Sequence, residues 1–60
     1  MRYGVKYAVL ENRQLVNKFS EMYFDETRED ELHRLAKEAL TFLEGRLSND
    51  IKIISITPLD

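Results

Sequence analysis

The sequence predicts a small α+β domain with the element order strand, strand, helix, strand. Three observations lead to this fold class. An amphipathic helical repeat covers residues 27–47, two alternating apolar segments precede it around a short polar turn, and an isoleucine-rich segment follows it. Because a chain of 60 residues is the size of one small domain, we assign residues 1–60 to a single unit.

The first two segments, residues 3–10 and 15–24, are predicted to form a hairpin around Asn12 and Arg13. With this two-residue loop, Leu10 faces Leu15, and a loop one residue longer would exchange the faces of one strand relative to the other. One face of the hairpin then carries Tyr3, Val5, Tyr7, Val9, Val16, Lys18, Met22 and Phe24. The other carries Lys6, Ala8, Leu10, Leu15, Phe19 and Tyr23.

The helix over residues 27–47 is the clearest element, because its apolar residues recur three and four positions apart. Thr27 suits the N-cap, and Gly45 with the polar residues after it indicates the end. Glu44 is assigned to the solvent side. Phe42 lies at the edge of the apolar stripe, and we expect its ring to fold over the rim of the core; contact with a second chain is the alternative. The stripe consists of Leu32, Leu35, Ala36, Ala39, Leu40, Leu43 and Leu47.

Residues 51–56 form the third predicted strand, with Ile51 and Ile53 on one side and Ile54 and Ile56 on the other. Alternating strand directions and a right-handed crossover place this strand beside the first, which gives a mainly antiparallel sheet of order 2-1-3. A position beside the second strand is the alternative. One helix then packs on one face of the sheet.

Large apolar side chains are predicted on both faces of this sheet, yet a single helix covers only one. A second copy of the chain is the simplest cover for the other face, so we expect a homodimer. The predicted self-association surface also includes one pair of the isoleucines of the third strand, and its four principal residues are Leu10, Leu15, Phe19 and Tyr23.

The sequence offers little for chemistry. The chain has no cysteine, which excludes disulfides and thiolate metal sites, and it has one histidine, His33. Gly4 and Gly45 stand alone and form no phosphate-binding loop. We therefore predict no catalytic, cofactor-binding or metal-binding residue, and a non-enzymatic interaction or regulatory protein that also accommodates another protein partner.

Nucleic-acid binding is the alternative function. Residues 1–20 carry a net charge of +3 and the remainder −5, and the cations of the hairpin lie among aromatic residues. Aromatic side chains among cations are typical of surfaces that stack bases. The chain as a whole is acidic, however, with a net charge of −2, whereas nucleic-acid-binding domains are usually basic.

The sequence also predicts where the protein resides. No segment approaches the roughly 20 consecutive apolar residues of a membrane span, and residues 1–20 lack the pattern of a signal peptide. The absence of cysteine is compatible with a reducing compartment. We expect a soluble, cytoplasmic protein without a membrane partner.

Overall fold

The computed structural model describes residues 1–25 and 28–59, and its elements follow the predicted order. The elements are β1 (Arg2–Glu11), β2 (Gln14–Tyr23), α1 (Glu29–Glu44), a short 3-10 turn (Ser48–Asp50) and β3 (Ile51–Pro58). The three strands form one sheet of order β2-β1-β3, in which β1 runs antiparallel to both neighbours. The predicted α+β class and strand order are therefore confirmed.

The hairpin turn sets the register of the first two strands. Asn12 and Arg13 both have left-handed backbones, with φ of 48° and 67°. Two consecutive left-handed residues are typical of the type I′ turn, whose twist matches that of the flanking strands. Leu10 accordingly pairs with Leu15 and Val9 with Val16. The two faces of the hairpin are the predicted ones.

The core lies between α1 and one face of the sheet. The central strand β1 contributes Val5, Tyr7 and Val9, and α1 contributes Ala36 and Leu40. Met22, Phe24, Ile53 and Ile56 pack around this cluster, together with the fully buried Ile51.

The helix is shorter than predicted at both ends. It ends at Glu44 because Gly45 takes a left-handed backbone, with φ of 64°, and its N–H donates to the carbonyl of Thr41. The residue at the N-cap is Arg28, and Thr27 lies outside the described residues. The chain has therefore left the helix before Leu47. The prediction that Leu47 belongs to the apolar stripe is wrong, because its side chain is exposed.

The buried row of the helix is also narrower than predicted. Leu32, Ala36 and Leu40 are buried at intervals of four residues, whereas Leu43 remains exposed. Phe42 is 91% exposed, so the prediction that its ring folds over the rim of the core is wrong. At 100° per residue it lies about 200° around the helix from Leu40, on the flank of α1 that borders β2.

A bulge in β3 changes the orientation of its isoleucines. Tyr7 pairs with Ile53 but Lys6 pairs with Ser55, so Ile54 is an extra residue in the strand. The shift places Ile56 opposite Val5, on the side of the core. The prediction that Ile54 and Ile56 share the side opposite Ile51 and Ile53 is therefore wrong. Among these four isoleucines only Ile54 is largely exposed.

Candidate interaction surface on the open face

The sheet face turned away from α1, here called the open face, carries apolar side chains from all three strands. These side chains are between 40% and 75% exposed, and they belong to Leu10, Leu15, Phe19, Tyr23 and Ile54. Four of them are the residues that the sequence predicts for self-association, and the hairpin register brings all four to this face. That they bind a second chain stays a prediction.

Phe19 lies flat on the sheet because Gly4 has no side chain. A Cβ atom placed on Gly4 would be 3.0 Å from Cε2 and Cζ of Phe19 and 3.2 Å from Cδ2 of Leu59. The backbone N–H of Leu59 donates to the carbonyl of Arg2 at 2.9 Å, which holds this residue against β1. The support that Gly4 and Leu59 give to Phe19 was not predicted from the sequence. The signal for Gly4 is a glycine within a strand, which often marks a close approach.

A shallow recess of about 350 Å3 lies beside the ring of Phe19. Lys6, Asn17 and Ile54 are among the residues that line it. The bulge at Ile54 forms one wall of the recess. The open face is therefore uneven, because a hollow that can receive a side chain from another molecule lies beside the ring of Phe19.

The charges on the open face are mainly positive. Lys6 lies directly across from Phe19, and Lys52 across from Ala8, while Glu21 supplies an acid on β2. The helix α1, on the other side of the sheet, carries five of the 11 acidic residues of the chain, three of them in its first turn. The charge difference between the two parts of the sequence thus becomes a difference between the two faces of the fold.

A polar cluster joins the C-terminal end of α1 to the other face of the sheet. The hydroxyl of Tyr7 donates to Oε2 of Glu44 at 2.7 Å. Nζ of Lys18 donates to Oε1 of Glu44 at 2.9 Å and to Oε1 of Glu11 at 3.3 Å. The assignment of Glu44 to the solvent side is therefore wrong. It follows Leu40 by four residues and so lies on the same side of the helix.

The protonation of this cluster is consistent with a structural role. Burial and the hydrogen bond to Glu44 raise the pKa of Tyr7 to about 12, so the phenol remains a donor. The hydrogen bond from Lys18 is the main cause of a lowered pKa at Glu44, and the same bond raises the pKa of Lys18. Each group is held in the charge state that its neighbours require, and the cluster fastens the helix to the hairpin.

The part of the chain that the structure describes offers little for metal binding or membrane insertion. His33 is exposed on α1. Within residues 1–25 and 28–59, no group of three or more histidine, aspartate or glutamate side chains is arranged to hold a metal ion. In the same part of the chain, no helix has the length and apolar character needed to cross a membrane.

Comparisons with known proteins do not identify a relative. No protein-family model matches the chain. Neither the curated proteins nor the solved structures contain a significant match.

Proposed function

We propose that this protein is a non-enzymatic interaction or regulatory module that acts as a homodimer through its open face. The observation that supports the proposal is the group of five large, exposed apolar side chains on that face. They belong to Leu10, Leu15, Phe19, Tyr23 and Ile54. Contiguous apolar patches larger than a few hundred Å2 are rare on monomeric proteins and mark sites of interaction. A second copy of the chain offers the same apolar surface in return.

The dimensions of the chain require most of the open face to take part. The protein extends 34 × 16 × 16 Å, and its two ten-residue strands, at about 3.3 Å per residue, have the length of the long axis. A standard interface buries about 800 Å2 on each partner, which for a chain of this size means the whole face. Burial releases about 25 cal/mol per Å2 of apolar surface, a favourable contribution to a domain that is small for independent stability.

This arrangement leaves the helices on the outside of the dimer. The acidic surface of α1, with Glu29, Asp30 and Glu31 in its first turn, is then what a further protein partner would meet. The chain has no cysteine, which is compatible with a reducing compartment, and we place the module in the cytoplasm.

Replacing Leu10 with lysine tests the open face. Leu10 lies on the central strand, and the added cation would join Lys6 and Lys52 on the open face. The two chains of a dimer would then bring like charges together and lose apolar contact. We expect sedimentation equilibrium to show half the mass of the wild-type assembly, with an unchanged helical circular dichroism signal.

Leu47→Lys is the matched control. It makes the same chemical change at a residue that is 76% exposed and lies outside the sheet, so the wild-type mass is expected. A Leu10→Lys protein that keeps the wild-type mass would contradict the proposal.

Nucleic-acid binding is a second candidate function for the same face. The supporting observation is that Lys6 lies directly across from Phe19, whose ring is 56% exposed. A cation beside an exposed ring suits a single strand, whose bases stack while its phosphates are neutralised. The acidic residues of α1 lie away from this surface and would not repel the phosphates directly.

The second candidate predicts a steep salt dependence. If a labelled single-stranded oligonucleotide binds the open face, the logarithm of the affinity should fall linearly with the logarithm of the salt concentration. Phe19→Ala should weaken binding, by about 1–3 kcal/mol for one stacked base. Self-association without oligonucleotide binding at low salt excludes this candidate and leaves the dimer.

A further inference from the structure

We infer that the free edge of β2 is a second self-association surface, where β2 pairs antiparallel with β2 of a second copy about a two-fold axis at Phe19. The pairing joins two three-stranded sheets into one six-stranded sheet. Its hydrogen bonds come from the backbone of a strand edge, and it leaves the open face of the joined sheet uncovered. It can therefore form with or without the dimer of the proposed function.

The two outer strands of the sheet differ in how they discourage edge pairing. The outer strand β3 contains the bulge at Ile54, the exposed Lys52 and Pro58 at its end. Bulges, lysines and prolines are the usual devices that block association at an edge. By contrast, β2 pairs with β1 over ten residues without a register shift and contains no proline. Its one lysine, Lys18, is bound to Glu11 and Glu44 on the helix side of the sheet. Its edge is long and regular.

The backbone groups of β2 show which residues are available at this edge. The amino group of Met1 donates to the carbonyl of Phe24 at 2.9 Å, and the N–H of Phe24 donates back at 3.0 Å. In an antiparallel ladder, residues that exchange both backbone hydrogen bonds with the neighbouring strand alternate with residues that exchange none. Phe24 is bonded to Met1, so every second residue of β2 from Tyr23 points its N–H and carbonyl away from β1. These residues are Leu15, Asn17, Phe19, Glu21 and Tyr23.

A two-fold axis at Phe19 matches the side chains of β2 with those of its copy. A perpendicular two-fold axis between antiparallel strands keeps the same face outward in both copies, so residues of one face meet each other. Apolar residues then face apolar residues and polar residues face polar residues. The facing pairs are Leu15 with Tyr23, Val16 with Met22, Asn17 with Glu21, Lys18 with Ser20, and Phe19 with Phe19.

Other registers with the same symmetry are less favourable. An axis at Lys18 places two lysines opposite each other, and an axis at Glu21 does the same with two glutamates. Like charges directly opposite one another destabilise a sheet. An axis at Ser20 sets Phe19 against Glu21 and mixes apolar with charged residues. Of these four centres, Phe19 is therefore the one that the sequence of β2 favours.

The helix side of β2 fits the same partner. A groove of about 600 Å3 lies between α1 and β2, and its apolar walls include Met22, Leu35, Phe42 and Leu43. A two-fold axis perpendicular to the sheet places both helices on the same side, so the two grooves meet at the joint. This contact accounts for Phe42, which is 91% exposed in the single chain.

Amide hydrogen exchange measured by NMR separates this edge contact from contact through the open face. Edge pairing gives the N–H groups of Asn17, Phe19 and Glu21 hydrogen-bond partners that they gain in no face-to-face dimer. The Leu10→Lys protein is measured at a concentration 100 times the dissociation constant of its remaining self-association. There, these amides should exchange about tenfold more slowly than in dilute solution. Exchange that is equally fast at both concentrations would overturn the inference.

Cysteine pairs test the register. The side chains of Asn17 and Glu21 lie on the open face, so the test uses the Leu10→Lys protein, in which contact through that face is disrupted. The chain has no cysteine, so adding Asn17→Cys or Glu21→Cys introduces a single thiol. The pairing about Phe19 sets position 17 opposite position 21 at about 5.5 Å between Cα atoms, within the range that a disulfide spans. Two copies of position 17 are at least about 13 Å apart. Under mild oxidation, a mixture of the two variants should form a disulfide-linked heterodimer, and neither variant alone should cross-link.

The possible results of the mixing experiment are all decisive. Cross-linking confined to the mixture supports the register at Phe19. Equal cross-linking of Asn17→Cys with itself, or none in the mixture up to the highest soluble concentration of the Leu10→Lys protein, would exclude it.

Discussion

Replacing Leu40 with alanine should remove much of the stability of the fold. Leu40 is fully buried in the core between α1 and the sheet, next to Val5 and Val9. Truncating a buried leucine typically costs about 2–5 kcal/mol, since apolar contacts are lost and a cavity remains. A domain of this length has a total free energy of unfolding of only about 3–9 kcal/mol, so a large fraction of the variant should be unfolded at 37 °C.

Urea unfolding followed by circular dichroism measures this effect. Leu47→Ala is the matched control, because it removes the same atoms from a side chain that is 76% exposed, and surface substitutions usually change stability by less than about 0.5 kcal/mol. Equal midpoints for the two variants would show that Leu40 is not in the core.

Removing the carboxylate of Glu44 should have the second largest effect. Glu44→Ala leaves the buried hydroxyl of Tyr7 without its acceptor, and an unsatisfied buried donor costs about 1–3 kcal/mol. The added change Tyr7→Phe removes that donor, so the double variant should recover part of the loss. A double variant that loses the full sum of both single effects would mean that the two groups do not interact.

This contact should also depend on pH. The pKa of Glu44 is lowered from its ordinary value of 4.5 in the folded chain, mainly by the hydrogen bond from Lys18. A lowered pKa in the folded state contributes stability that is present above the unfolded value and is lost as the pH falls through the folded value. The difference in stability between wild type and Glu44→Gln should therefore shrink at acid pH. A difference that stays constant from neutral pH to below the folded pKa would refute this linkage.

The hairpin was predictable because its signals are local. Asn12 and Arg13 lie between two alternating segments, and the period of two fixes which side chains share a face. The bulge in β3 was not predictable, since Ile53 and Ile54 are adjacent and chemically alike. Either residue can serve as the extra one, and the choice depends on how the strand fits against β1 and the helix.

Glu44 and Phe42 show a second kind of limit. Glu44 binds Tyr7 across 37 residues of sequence, a contact that depends on how the helix lies over the sheet. Phe42 is apolar yet exposed. The apolar pattern of a helix alone does not show which of its residues will be buried against the sheet.

For the candidate surface, the apolar residues were predictable from the sequence, but the packing that holds Phe19 in place was not. Alternation brings Leu10, Leu15, Phe19 and Tyr23 to one face, as the register confirms. The packing of Phe19 on Gly4 and Leu59 depends on diagonal contacts between strands and on the position of the chain after Pro58. Neither leaves a periodic signal in the sequence.

Isotope-filtered NMR on a mixture of labelled and unlabelled chains tests directly whether a second copy covers the open face. The homodimer predicts nuclear Overhauser effects between chains that involve the methyl groups of Leu10 and Ile54. These side chains lie on the open face and away from the edge of β2. Their absence at concentrations where the wild-type chain is associated, or a chain that sediments at 7.1 kDa, would contradict the homodimer.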